Sequence, residues 1–95
     1  MAQQYRFNAE AFYKKKDEQR GKCAISGVVL EPATVDVSHS VPLDKGGTHC
    51  FENIDLVHRD LVKMARILTN DEILSYAVKI VNHLGKEKGY CVKKK

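Results

Sequence analysis

The residues best suited to chemistry are a histidine and an asparagine on either side of a glycine-glycine loop. His39 lies within residues 35–41, where apolar and polar side chains alternate, and Asn53 follows the loop at residues 45–48. An imidazole can take a proton from water close to neutral pH. An amide can donate and accept hydrogen bonds at the same time. Taken singly, His39 is most simply an exposed strand residue and Asn53 a turn residue. The order of the surrounding residues along the chain must therefore decide whether the two have a functional role.

From Val35 to Arg66 the sequence resembles the catalytic module of the HNH nucleases. The similar segments are DVSHSVPL at residues 36–43, KGGT at residues 45–48 and ENIDLVHRD at residues 52–60. Phage and bacterial members of that family carry an acid-His-x-x-Pro run, a Gly-Gly turn and an Asn-Leu-x-x-Val-His-x-Asp run before a helix. The resemblance implies an α+β fold with a small ββα core around one divalent metal ion. An unrelated helical domain with a chance match predicts no hairpin around His39.

The resemblance also implies roles for the two polar residues. His39 is expected to be the general base, and Asn53 is expected to brace the loop and orient the histidine. Hydrolysis of a phosphodiester needs a water made nucleophilic and a cation that holds the phosphate and the leaving oxygen. An active protein of this type is therefore expected to use a divalent metal such as Mg²⁺.

The sequence departs from the family at both positions that usually hold this metal. Ser38 stands where the family has Asp, Glu or His, and Val62 stands where it has His or Asn. A neutral hydroxyl is a poor ligand for Mg²⁺, and a valine side chain is none. Asp36, His58 or Asp60 are candidate replacement ligands, or the alignment shifts by a residue or two at the helix. Cleavage and its loss both remain open.

A second metal site of the family, a zinc knuckle of two C-x-x-C pairs, is reduced in the same way. Its first pair corresponds to Cys23 with Ser26, and its second to His58 with Leu61. Half of the ligands are missing, so no structural zinc is expected. Cys23 is then a small core residue, and an odd number of widely spaced cysteines favours free thiols.

The charge is unevenly distributed along the chain. The net charge of +4 is concentrated after residue 78, where six lysines face one acid, while residues 31–60 hold six acids and two bases. A basic tail suits DNA, and the acidic region suits a protein partner. The residues expected to contact nucleic acid are Lys45, Lys63, Arg66, Lys93, Lys94 and Lys95.

Residues 1–95 are expected to form a single HNH-like domain. We expect an N-terminal helix at about 8–20, the ββα core at about 23–68, a C-terminal helix at about 70–84 and a basic tail at 85–95. Within the core, residues 23–30 indicate a short strand and a turn, and Asp60 is expected to cap the helix of the ββα unit. Thr69 and Glu72 form a capping-box pattern at the start of the last helix. Lys14, Lys15 and Lys16 occupy successive positions and indicate a solvated face.

Two functions from different classes fit these observations. The first is a DNA endonuclease or nickase with His39 as its general base. The second is a catalytically degenerate protein of the same fold that binds DNA or, through its acidic region, a protein, as an inhibitory phage protein does. No apolar run approaches the ~18 residues that span a bilayer, and residues 1–7 lack a secretory signal. A cytoplasmic protein without a membrane partner is expected.

Overall fold

The computed structural model describes residues 5–94, which contain helices and one antiparallel sheet of two strands. The predicted α+β class is confirmed. The longer elements are α1 (Ala9–Glu18), β1 (Val35–His39), β2 (Ile54–His58), α2 (Val62–Ala65) and α3 (Asn70–Leu84), and single 3-10 turns lie at Leu43–Lys45, Phe51–Asn53 and Lys86–Lys88. Within this part of the chain, no helix is both long enough and apolar enough to cross a membrane.

The two strands form a hairpin in which His39 pairs with Ile54 and Val35 pairs with His58. Because side chains alternate along a strand, Asp36 and Ser38 share one face of the sheet, while His39 belongs to the other. The first strand ends two residues before the predicted end at Val41. The side chain of Asn53 is hydrogen-bonded to the backbone N–H and carbonyl groups of Val41. These groups therefore do not pair with the backbone of the second strand.

Of the strand and turn predicted at residues 23–30, the turn is confirmed and the strand is wrong. The segment is a turn closed by an isolated bridge between Lys22 and Val29. The N–H of Cys23 donates to the carbonyl of Val28 at 2.7 Å, and Gly27 has a φ of 74°, which reverses the chain at once. The reversal leaves too few residues on either side for a ladder of hydrogen bonds.

The helix of the ββα unit is shorter than predicted, and Asp60 does not cap it. Leu61 is the N-cap of α2 and makes no side-chain capping bond. The carboxylate of Asp60 lies 3.6 Å from Nδ1 of His58, and the Asp60 N–H donates to the same nitrogen. Asp60 therefore closes a local turn with His58 and does not reach the first N–H groups of the helix.

The N-terminal helix docks on the hairpin through two polar side chains. Gln19 donates from Nε2 to the carbonyl of Leu56 and accepts the Leu56 N–H at Oε1, as a neighbouring strand would. Lys15 is only 6% exposed, and its Nζ lies 4.0 Å from the centroid of the Phe51 ring. The solvated face predicted for the lysine run is wrong at Lys15, because the aromatic face accepts its ammonium group.

The C-terminal helix begins where the capping box predicts, but most of its apolar face is uncovered. Thr69 and Glu72 make both reciprocal bonds of the box. Ile73 is buried, whereas Leu74 and Leu84 are 64% and 69% exposed. The wide distribution of apolar positions in this helix predicts that it packs against the rest of the domain. The structure shows such packing at Ile73 and not at Leu74 or Leu84, because a sheet of two strands offers too little surface beyond the first turn of α3.

We predict an acid-sensitive link between the glycine loop and α3. The Lys45 ammonium group beside Glu72, with the Thr69 N–H, lowers the pKa of Glu72 from 4.5 to about 2. A carboxylate with a lowered pKa stabilises the fold above pH 4.5, and this contribution is lost as the pH falls towards 2. Urea unfolding at several pH values measures the free energy of unfolding. As the pH falls over this interval, that free energy should decrease less in Glu72→Gln than in the native chain. Equal slopes in both proteins would contradict the link.

Candidate active site

His39 lies at the end of β1 and lines an open cavity of about 450 Å³. The hairpin and the loop after it supply most of the wall, and the residue that ends α2 supplies a cation. The lining residues are Val37, His39, Pro42, Leu43, Asp44 and Arg66. The cavity therefore places an imidazole and a guanidinium side by side with access from solvent.

The surroundings of His39 favour its neutral form. Partial burial, together with the nearby His49 and Arg66, lowers the pKa of His39 below its usual 6.5. Desolvation and neighbouring positive charge both disfavour the imidazolium ion. At neutral pH the ring is therefore available to accept a proton, as a general base must.

Asn53 holds the loop between the strands with its side-chain amide. Its Oδ1 accepts the N–H of Val41 at 2.9 Å, and its Nδ2 donates to the carbonyls of Val41 and Thr48 at 3.0 and 2.7 Å. The loop leaves β1 directly after His39, so this clamp fixes the backbone next to the imidazole. The amide makes the bonds that a loop brace requires.

Gly47 is the tightest point of the same loop. A Cβ atom at this position would lie 1.9 Å from the carbonyl oxygen of Val41 and 2.9 Å from that of Pro42. Gly46 has a φ of 90° but no atom within 4 Å of the corresponding position. Close backbone approach at Gly47, not a left-handed conformation, explains why glycine is needed there.

We expect Gly47→Ala to lower the free energy of unfolding by about 2–3 kcal/mol, because the loop must open to admit the methyl group. Gly46→Ala is the matched control and should lower it by only about 1 kcal/mol, the conformational cost alone. Urea denaturation followed by circular dichroism measures both. A smaller loss at Gly47 than at Gly46 would show that the loop does not pack as described.

The two positions at which the HNH resemblance predicts metal ligands do not form a cation site. Ser38 is 2% exposed, and its Oγ has no hydrogen-bond partner among the described residues. Val62 is 5% exposed and packs with Cys23 and Val57 in the core. One buried neutral hydroxyl and one hydrocarbon side chain do not match the oxygen-rich set that Mg²⁺ or Ca²⁺ requires. The donors at these positions do not fit a hard cation.

The replacement ligands considered above are also engaged elsewhere. Asp36 accepts from Arg66 at 3.3 Å, so a guanidinium neutralises the carboxylate. His58 pairs with Val35 at the far end of the hairpin, about 13 Å along the strand from the level of His39. His58 and Asp60 contact each other there. Across residues 5–94, no three His, Cys, Asp or Glu side chains converge as a metal site.

His49 is the site residue that sequence reasoning missed. Its Nδ1 lies 3.0 Å from Nε2 of His39, and the ring centroids are 5.3 Å apart. The loop between the strands folds back and brings two histidines that are ten residues apart into contact. The sequence shows a second histidine two residues after Gly47. Only the conformation of the loop shows that its ring contacts His39.

The basic residues expected to contact nucleic acid fall into two groups. Arg66 lines the cavity, and Lys45 contacts Glu72 at its edge. Lys63, Lys93 and Lys94 are exposed, and Lys95 lies outside the described residues. Arg66 is therefore the residue of this set that lines the same cavity as His39.

Cys23, at one position of the zinc knuckle that the resemblance implies, is a core residue that contacts two of the other positions, Ser26 and His58. Cys23 is 3% exposed, and its Sγ accepts the N–H groups of Ser26 at 3.4 Å and His58 at 3.3 Å. Burial raises the pKa of the Cys23 thiol, but the hydrogen bonds from Ser26, His58 and Ile25 outweigh it and lower the pKa overall. The sulfur thus joins the turn to the end of β2, which agrees with the core role predicted for it.

The chain was compared with models of protein families, with curated proteins and with solved structures, and none of them matches it. The interpretation of the site therefore depends on its geometry and on the chemistry of its side chains.

Proposed function

We propose that this chain is an HNH-type DNA endonuclease that nicks its substrate slowly, with His39 as the general base. The observation that carries the proposal is an imidazole that lines an open cavity together with Arg66 and lies next to a loop that Asn53 clamps. A rigid loop and a positioned base are what water activation requires. Intracellular DNA as the substrate implies a cytoplasmic location.

In the proposed reaction, a water molecule in the cavity loses a proton to the imidazole of His39 as its oxygen bonds to phosphorus. The bond from phosphorus to the leaving oxygen breaks, that oxygen takes up a proton from solvent water, and His39 then returns its proton to the solvent. Arg66 contacts the phosphate, and its planar fork suits two phosphate oxygens. A bound metal is worth several kcal/mol in such reactions, and the side chains of Ser38 and Val62 do not fit the hard cation that would supply this. The reaction is therefore slow.

A second candidate is a degenerate HNH-type protein that binds without cleaving. It is favoured by the burial of Ser38 and Val62 and by the ion pair between Asp36 and Arg66. The carboxylates of residues 31–60 would repel phosphate and suit a basic protein surface. The two candidates differ in turnover, not in fold.

The test is a nicking assay on supercoiled plasmid with the native chain, with and without Mg²⁺, Mn²⁺, Ni²⁺ or Zn²⁺, alongside fluorescence anisotropy on labelled DNA. The proposal predicts salt-dependent DNA binding and slow accumulation of open-circular plasmid, with little stimulation by Mg²⁺. DNA binding without any nicking would favour the second candidate. If the chain neither binds nor nicks DNA, a function on DNA is overturned and a protein partner is favoured.

A further inference from the structure

The rings of His39 and His49 contact each other through a hydrogen bond, which one ring donates and the other accepts. Nε2 of His39 and Nδ1 of His49 face each other at 3.0 Å. Zinc binds imidazole nitrogen at about 2.0–2.1 Å, so two nitrogens on one ion lie about 2.9 Å apart at a right angle and about 3.4 Å apart at a tetrahedral angle. The observed separation lies inside this interval.

We propose that His39 and His49 bind one borderline transition-metal ion, Zn²⁺ or a similar ion, with water in the remaining positions. Imidazole is a preferred ligand for Zn²⁺, Cu²⁺ and Ni²⁺ and a poor one for Mg²⁺ or Ca²⁺. His49 is exposed and His39 is half-buried, so an ion can enter from solvent. This site uses the proposed base itself and is separate from the Ser38 and Val62 positions.

The charges near the pair make the site selective and modest in affinity. Arg66 lines the same cavity as His39 and repels any cation, whereas Asp44 lines it too and offsets part of that repulsion. A hard ion has no oxygen-rich ligand set to compensate for the repulsion, but a borderline ion gains two strong bonds to nitrogen. Binding should therefore require the two imidazoles together, and neither alone should be sufficient.

The consequence is a metal-controlled base. An ion on the lone pair of His39 Nε2 prevents that nitrogen from accepting a proton, so Zn²⁺ would suppress general-base chemistry at the cavity. The binding itself does not depend on the proposed function, because the two rings would chelate the ion whether or not the chain cleaves DNA. Binding is therefore measured directly and not through activity.

The experiment titrates Zn²⁺ into isotope-labelled protein and follows the imidazole ¹⁵N shifts, with calorimetry in parallel. The proposal predicts saturation at one ion per chain, shifts at His39 and His49, no shift at the remote His83, and no response to Mg²⁺. His39→Gln and His49→Gln should each abolish the binding heat while the circular dichroism spectrum is unchanged.

Two further variants separate this site from other zinc ligands. His83→Ala and Cys91→Ser should bind Zn²⁺ as the native chain does, because neither residue belongs to the pair. The proposal is overturned if the His39 shift persists in His49→Gln, if Cys91→Ser abolishes binding, or if Zn²⁺ moves neither ring. If the chain nicks DNA but does not bind Zn²⁺, only this inference is contradicted. If the chain binds Zn²⁺ but never nicks DNA, only the proposed function is contradicted.

Discussion

Ser38→Asp combined with Val62→Asn is expected to raise Mg²⁺-dependent nicking by about 10²–10³-fold, because a held metal ion contributes several kcal/mol to such reactions. The two changes add a carboxylate and an amide oxygen at the positions where the HNH resemblance predicts the ligands. Ser38 Oγ lacks a hydrogen-bond partner within residues 5–94, so the space around it already holds a polar atom. The nicking rate at saturating Mg²⁺ measures the effect.

The matched control is Ser38→Asn with Val62→Asn, which keeps the size of the side chains and removes the added charge. A buried carboxylate without a cation is unfavourable, so Mg²⁺ should also raise the melting temperature of the aspartate variant and leave that of the control unchanged. If the aspartate variant folds but Mg²⁺ raises neither its nicking rate nor its melting temperature, residues 38 and 62 do not face a common metal position.

Asn53→Ala is expected to lower the free energy of unfolding by about 2–4 kcal/mol. It removes three hydrogen bonds from the amide to the groups of Val41 and Thr48, each worth about 0.5–1.5 kcal/mol net. In a small domain this is a large share of the total stability. The loop should also lose its fixed conformation, so nicking should fall with it. Urea denaturation followed by circular dichroism gives the stability change.

The chain supplies a control for this change in Asn82. Its amide also donates to and accepts from one backbone residue, Val92, but in the exposed C-terminal segment. Asn82→Ala should therefore change the free energy of unfolding by less than about 1 kcal/mol, and nicking should be unaffected. Comparable losses in the two variants would mean that Asn53 is an ordinary surface residue and not the clamp of the loop.

The features predicted well from the sequence depend on residues close together in the chain. The start of α3 follows from Thr69 and Glu72, which are three residues apart and bond each other. The strand that carries His39 follows from the alternation of apolar and polar residues over residues 35–41. Such local patterns fix backbone conformation with little help from tertiary contacts.

The features that were missed depend on contacts between distant segments. Burial of Lys15 requires the Phe51 ring to lie over it, and three lysines in a row give no sign of that. The capture of Asp36 by Arg66 joins residues 30 positions apart. The pairing of His39 with His49 depends on how the loop folds back. These contacts decide how the site is charged, and composition and periodicity do not contain them.

We propose that the imidazole of His39 activates the attacking water. The most direct test of this proposal is single-turnover nicking by the native chain, His39→Ala and His83→Ala, with each protein at a concentration that binds the same fraction of DNA. We expect His39→Ala to bind DNA without nicking it, and we expect His83→Ala, which is changed on the exposed face of α3, to nick at the native rate. Equal nicking by His39→Ala and the native chain would contradict it.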